Sequence, residues 1–215
     1  MGHPPFCSVG ADIGRDRDAV INQNLSMLDF RNLPPGHQSA FGDGTVRVET
    51  LGKGVSLFKL TAGKAPSDPK WGITPWWSPV KPFKEDYEGA LGRYQQAKLN
   101  GIDMSAMVRF MSAVCVDWND LDNYVQVELT DECRAFWGTF APQKKFNKAP
   151  LSKEEKFRAK VKDWQVNRGA ELPPDLGVLE AWQLYVPNLK EADIKRSSVI
   201  PAHDMVALGM AFGFV

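Results

Sequence analysis

The chain is 215 residues long, 43% of them apolar, with 26 Lys plus Arg set against 26 Asp plus Glu. This length suits one domain with ample core-forming residues, and the balanced charge gives no bulk attraction to nucleic acid or to an anionic membrane. No apolar run approaches the roughly 18 residues of a membrane-spanning helix. The opening Met-Gly-His-Pro-Pro-Phe lacks the basic-then-apolar plan of a secretory leader, so the expected location is cytoplasmic, or outside the cell by a route without a cleaved leader. Cys7, Cys115 and Cys133 form no CxxC pair, which argues against a disulfide framework or a zinc ribbon.

Residues 1–15 read as a loose terminus. Over 16–28, Val20, Ile21, Leu25 and Leu28 recur at helical spacing and predict a short amphipathic helix. Residues 32–44 are punctuated like a loop, and His37, with no chemical partner nearby in sequence, reads as a surface histidine. Strands are expected over 45–51 and 55–61, with Gly52-Lys53-Gly54 as the turn of a hairpin. In the second strand Leu57, Lys59 and Thr61 share one face, and Phe58 and Leu60 the other. A lysine among apolar neighbours fits a sheet edge, where it discourages pairing, or a cleft that binds an anion; the edge is the better founded.

After a loop over 63–70 comes Trp71-Gly-Ile-Thr-Pro-Trp-Trp-Ser-Pro79. Pro75 and Pro79 fix their own φ and bias Thr74 and Ser78 towards extended backbone, so this stretch is stiff. Its indoles either seat a planar ligand ring or plug the end of a core. Residues 85–100 carry Tyr87, Leu91 and Tyr94 at helical spacing, and Asp103 caps a second helix with Met104, Met107, Val108, Met111 and Val114 on one side. The acidic turn over 117–123 lacks the glycine and terminal glutamate of a calcium loop, so no metal is expected.

Residues 124–129 alternate as a strand, with Val125, Val127 and Leu129 on one face and Gln126 and Glu128 on the other. Another strand is expected over 134–141, where Gly138 marks a bulge or a close approach. Charge then rises, and a capping box at Ser152-Lys-Glu-Glu155 with a stripe of Phe157, Val161 and Trp164 predicts a charged helical insertion at about 144–176. Its acidic residues are interleaved with the basic ones, which argues against nucleic acid as a partner. The strongest strand pattern covers 178–186 and ends at Pro187-Asn188; Ile194, Val199 and Ile200 precede an apolar tail from Met205. No internal repeat and no long linker divides the chain, so 1–215 reads as a single domain.

One possible catalytic set is Cys115 with His203 and Asp204, a thiol hydrolase arrangement. Cys115 falls near the end of an apolar helix rather than at a helix start, where the dipole would favour a thiolate, so a structural cysteine is the stronger reading.

A second set is Lys59, Ser78, Gln126 and Glu128. A strand with a basic residue (Leu57-Phe-Lys-Leu-Thr61) precedes an aromatic and hydroxyl segment (Ile73-Thr-Pro-Trp-Trp-Ser78), and a Gln-x-Glu strand (Val125-Gln-Val-Glu-Leu129) comes later. Over residues 55–143 that order resembles the three-part motif of the ADP-ribosyltransferase-fold toxins and effectors, with Lys59 where that family carries arginine. The resemblance implies a bacterial toxin or effector that uses NAD as co-substrate, by transfer or glycohydrolysis. Glu128 is then the carboxylate that stabilises the charge built on the ribose as the glycosidic bond breaks. Gln126 is its companion, Ser78 a positioning hydroxyl and Lys59 an anion contact, with Trp76 or Trp77 flanking the nicotinamide and Thr74 a further cofactor contact. A second alignment to the same superfamily uses the strand ending at Val186 and puts Glu180 or Gln183 at the nicotinamide; the two alignments exclude each other.

The remaining alternative is a catalytically inactive effector or adaptor. The tryptophan stretch, Trp137 and the charged helix would then form a surface for a protein partner. For the fold, the elements predict an α+β domain: an antiparallel or mixed sheet of about six short strands with helices packed on one side, which is also what the resemblance implies.

Overall fold

The computed structural model describes residues 20–61, 67–68, 72–86, 115, 123–144, 153, 175–176 and 181–201. The helices expected over 85–100 and 103–114 and the charged insertion lie almost wholly outside these residues, as do Cys7, Glu180, His203, Asp204 and the apolar tail. Among the described residues the chain is sheet-rich. In chain order the strands are β1 Arg47–Leu51, β2 Ser56–Thr61, β3 Ser67–Asp68, β4 Gly72–Ile73, β5 Trp76–Pro79, β6 Asn123–Leu129, β7 Cys133–Thr139, β8 Gln143–Lys144, β9 Asp175–Leu176, β10 Trp182–Tyr185 and β11 Ile194–Pro201. Described helix comprises α1 Met27–Arg31, α2 Pro35–Gln38, a 3-10 turn, Glu191–Asp193, and the single helical residue Lys153. Helices packed along one side of the sheet, the other half of the expected fold, fall on residues outside those described.

Seven strands form one curled antiparallel sheet in the order β1-β7-β10-β5-β2-β6-β11, against the six or so expected, and β3–β4 and β8–β9 are separate two-stranded ribbons. The alternation read in β6 holds: Val125, Val127 and Leu129 are buried and Gln126 and Glu128 are half-buried. Strand β7 is apolar on both faces, with Ala135, Phe136 and Trp137 all buried, as a strand covered on two sides must be.

The expected hairpin of β1 with β2 does not form. β1 pairs with β7, and β2 with β5 and β6. One antiparallel register nevertheless runs through both halves: Arg47 faces Trp137 and Leu51 faces Cys133, then Ser56 faces Glu128 and Thr61 faces Asn123. β1 and β2 are therefore the two arms of one bent strand, and β6 and β7 the arms of another. The bends fall at 52–54 and 130–132. Gly54 takes φ +81, a conformation glycine adopts without strain. Its N–H donates to the Leu129 carbonyl (2.9 Å) and the Leu129 N–H donates to Val55 (3.0 Å), so the ladder continues round the corner. Two glycines signal flexibility but not direction. Because the partner strand bends at the same level, the chain turns a corner instead of reversing.

That corner folds the sheet over on itself. Leu51, Leu57, Trp77, Val127, Trp137 and Leu184, drawn from strands far apart in the order, pack into a single cluster on its inner side. Each such aliphatic side chain taken fully out of water stabilises the fold by roughly 1.5–3 kcal/mol. The outer side of β1, β7, β10 and β5 is covered by the segment that precedes β1. Leu25 and Phe41 pack there on Phe136 and Tyr185, with Phe30, Val48 and Trp76 around them. Gly138 permits the close approach expected of it, since a Cβ there would stand 2.9 Å from Phe41 Cδ1 and 3.1 Å from Thr45 Oγ1.

In its described part, 20–28, the expected helix gives way to a bridge at Ile21 and a turn over 22–24, and only Met27 and Leu28 are helical. Ile21 forms a parallel bridge to Cys133, taking an N–H···O bond of 2.7 Å to Glu132 and accepting one of 2.9 Å from Arg134. Asn22 turns the backbone at φ 58 and donates to the carbonyls of Arg134 and Pro187. Sheet hydrogen bonds and burial of Ile21 outweigh helical spacing here, and α1 starts only after the Ser26–Asp29 capping box.

Candidate functional site

Lys59 is not on an edge strand. β2 lies between β5 and β6, so the edge-protecting role does not apply. Leu57 faces Pro79 and Phe58 faces Ser78; the next step of that register sets Lys59 beside Trp77 on the inner side. There Lys59 Nζ donates to Thr74 Oγ1 and stands 4.9 Å from the centroid of the Trp77 ring, a cation–π contact. The 74–79 segment is tied into the sheet by backbone hydrogen bonds. Pro75 accepts the Val186 N–H (2.8 Å), residues Trp76–Pro79 form β5, and the Val80 N–H donates to Ser56 (3.0 Å). Three residues expected to bind a cofactor, Lys59, Thr74 and Trp77, thus come together.

Trp76 does not join them. Neighbours in a strand point to opposite faces, so Trp77 is sealed on the inner side, 2% exposed, while Trp76 lies half-buried on the outer side. The Trp76 ring meets Tyr185 edge to face at 4.7 Å, Phe41 at 5.6 Å and His37 at 5.7 Å. The two indoles therefore lie on opposite faces of β5. His37 is likewise no isolated surface residue: its Nδ1 is 2.9 Å from the Tyr185 hydroxyl, and burial lowers its pKa. That partner is 148 residues away along the chain, beyond the reach of local pattern.

Ser78, Gln126 and Glu128 share the outer face with Trp76. Ser78 and Gln126 both face Phe58, one from each neighbouring strand. The Phe58 ring therefore stands between them, stacked on Tyr124 at 5.2 Å and 17°. Tyr124 is buried and donates its hydroxyl to Gln126 Oε1 (3.0 Å), and burial pushes its pKa far up, so it stays protonated. Glu128 faces Ser56 on one side and Lys195 on the other. The sheet itself separates Lys59 from all three. Gln183 is buried and spends its side-chain N–H on the Ala40 carbonyl (2.8 Å), tying the segment before β1 to β10.

A second polar cluster surrounds Trp137, which is fully buried and so is not part of the partner surface expected of it. Trp137 and Trp182 stack at 5.1 Å and 17°, and the Arg47 guanidinium lies 5.5 Å from the Trp182 ring. Phe83 packs edge-on against Trp137 at 5.1 Å. Glu85 accepts from Trp137 Nε1 (3.1 Å) and from Arg47, and its carboxyl is held below the ordinary range first by the Arg47 hydrogen bond and then by that of Trp137. Arg47 also binds Glu49 (2.6 Å), which pairs with Lys84 (3.3 Å). The signal available in sequence was the alternation of Arg47 and Glu49 with Val46 and Val48. Nothing local tied it to residues 83–85.

The described residues contain no group of three His, Cys, Asp or Glu able to hold a metal ion. Cys115 is buried and donates its thiol to the Lys144 carbonyl (3.1 Å), the behaviour of a packed cysteine; His203 and Asp204 lie outside the described residues. No helix among the described residues is long and apolar enough to cross a membrane. In comparisons with family models, curated proteins and solved structures, the chain matches none.

Proposed function

We propose that the domain acts by binding a protein partner rather than by turning over NAD. The observation that carries this reading is the division of the expected site: Lys59 with Thr74 and Trp77 inside the curled sheet, Ser78, Gln126 and Glu128 outside it. An ADP-ribosyl transfer needs its carboxylate and its cation on one ligand. The surface best suited to a partner is the aromatic outer face around Trp76. It is roofed by two short helices with no buried residue, and Leu28 on the first is 64% exposed. Half-buried tryptophan is among the residue types enriched at interface anchors.

A second reading, an NAD-dependent ADP-ribosyltransferase or glycohydrolase, is favoured by one feature: Trp76, Ser78, Gln126 and Glu128 lie on the same face. The two part cleanly in solution. For the binding module, the purified chain releases no nicotinamide from NAD, and a captured protein binds at least tenfold more weakly to Leu28→Asp while the variant keeps its Tm. Nicotinamide release that disappears in Glu128→Ala would establish the transferase class instead.

A further inference from the structure

We infer that α2 is a latch over Trp76 that opens in acid, with His37 as its catch. The chain is fastened on both sides of this helix. Leu33 packs on the outer aromatic cluster, and the Ala40 carbonyl accepts from the Ala141 N–H (2.9 Å) and from Gln183 Nε2 (2.8 Å). Between those points Pro34, Pro35 and Gly36 are exposed. The backbone N–H groups of His37, Gln38 and Ser39 donate to Pro34 and Pro35, and the Gln38 side chain donates to Arg31 and Leu33, all within the covering segment itself. Among the described residues, the side-chain bond from α2 to the sheet is the one between His37 Nδ1 and the Tyr185 hydroxyl (2.9 Å). The His37 ring also meets Trp76, at 5.7 Å and 75°.

Tyr185 is buried, and among the described residues its hydroxyl has His37 as hydrogen-bond partner. The pair is satisfied when the hydroxyl donates to Nδ1, which puts the hydrogen of the neutral ring on Nε2. Protonation turns Nδ1 from acceptor to donor, and the hydroxyl hydrogen of Tyr185 then loses its acceptor. The groups facing the ring are Trp76 from β5 and Tyr185 from β10, with no acidic residue on α2. Tyr185 is the titratable one, and burial raises its pKa, so it stays protonated throughout. No carboxylate among these groups balances an imidazolium, and burial lowers the His37 pKa, as it does for a ring favoured neutral in place. Released into water the imidazolium is fully hydrated, so acid favours the open latch and bares the half-buried Trp76. The latch goes beyond the partner-binding reading and does not depend on it.

The test is fluorine NMR of the full chain labelled with 5-fluorotryptophan, with a soluble paramagnetic agent reporting the exposure of each indole. Trp76→Phe assigns the Trp76 signal, and the sealed Trp77 serves as the internal control. Between about pH 7.5 and about pH 5, broadening of the Trp76 signal grows roughly threefold or more while that of Trp77 stays constant. His37→Gln keeps a neutral acceptor for Tyr185 and does not titrate, so its Trp76 signal is the same at both pH values. Tyr185→Phe removes the hydroxyl, and its Trp76 signal is already broadened at the higher pH. The inference fails if Trp76 exposure in the parent protein does not change with pH, if His37→Gln changes as the parent does, or if Trp77 broadens in step with Trp76. No partner or NAD enters the measurement, so its failure is separate from any failure of the function proposed above.

Discussion

Replacing Gly138 by alanine measures how closely the segment before β1 is seated on the sheet. The new Cβ would meet Phe41 Cδ1 at 2.9 Å, Thr45 Oγ1 at 3.1 Å and Val46 Cγ2 at 3.2 Å, so three side chains must yield together. Two of them are not free to do so. Phe41 is buried in the outer aromatic cluster, and Thr45 Oγ1 both donates to the Gly42 carbonyl (2.8 Å) and accepts from the Thr139 N–H (3.2 Å). Overpacking of this kind costs about 1–3 kcal/mol. Against it, alanine restricts the unfolded chain and returns about 0.4–1 kcal/mol. The net expectation is a loss of about 1–2 kcal/mol, or a fall in Tm of roughly 2–8 °C for a chain of this size. Gly52→Ala is the control, because its Cβ would meet nothing within 4 Å and it carries no positive φ. Chemical denaturation of both variants with an unchanged m-value gives the comparison. Should Gly138→Ala prove as stable as the parent, residues 41–46 do not rest on β7 and the outer covering of the sheet is misassigned.

Other consequences follow from the charged and titrating groups. His37 has its pKa lowered by burial, so the folded state prefers the neutral ring. Its contribution is complete above the unfolded value of about 6.5 and is lost as pH falls from there towards the folded value. A Tm–pH curve should dip on that acid side, and His37→Gln should flatten it; parallel curves would contradict the burial of His37. Glu85→Gln keeps an oxygen for Trp137 Nε1 but gives up the charge facing Arg47. Both partners are substantially exposed, so the loss is expected to stay below about 1 kcal/mol and to shrink in high salt. Since the Glu85 carboxyl is held below its ordinary value, the parent protein should also lose this increment as pH falls through the folded carboxyl's range, and the variant should not.

Much of the secondary structure was legible because it depends on immediate neighbours. Val125, Val127 and Leu129 alternate with Gln126 and Glu128 in a period of two, and the structure buries the first set. Pro75 and Pro79 act on their own φ and on the residue before, so the stiffness of the tryptophan stretch needed no tertiary information. Pro187-Asn188 ended a strand as its turn chemistry implied, with Asn188 at φ 56.

What the chain alone left undetermined is which strands become neighbours. The glycines at 52 and 54 permit a reversal or a corner equally, and the bend in the partner strand at 130–132 settles it. Lys59 carries the chemistry of an edge lysine, yet the choice between edge and interior is made by β5 and β6 lying on either side of β2. Alternation alone put Trp76 and Trp77 on opposite faces; only the folding-over of the sheet decided that Trp77 is inside. Local sterics and the period of side chains act within a few residues and so can be read along the chain. Pairing, and the side of the sheet that becomes core, are set by contacts between segments up to more than a hundred residues apart.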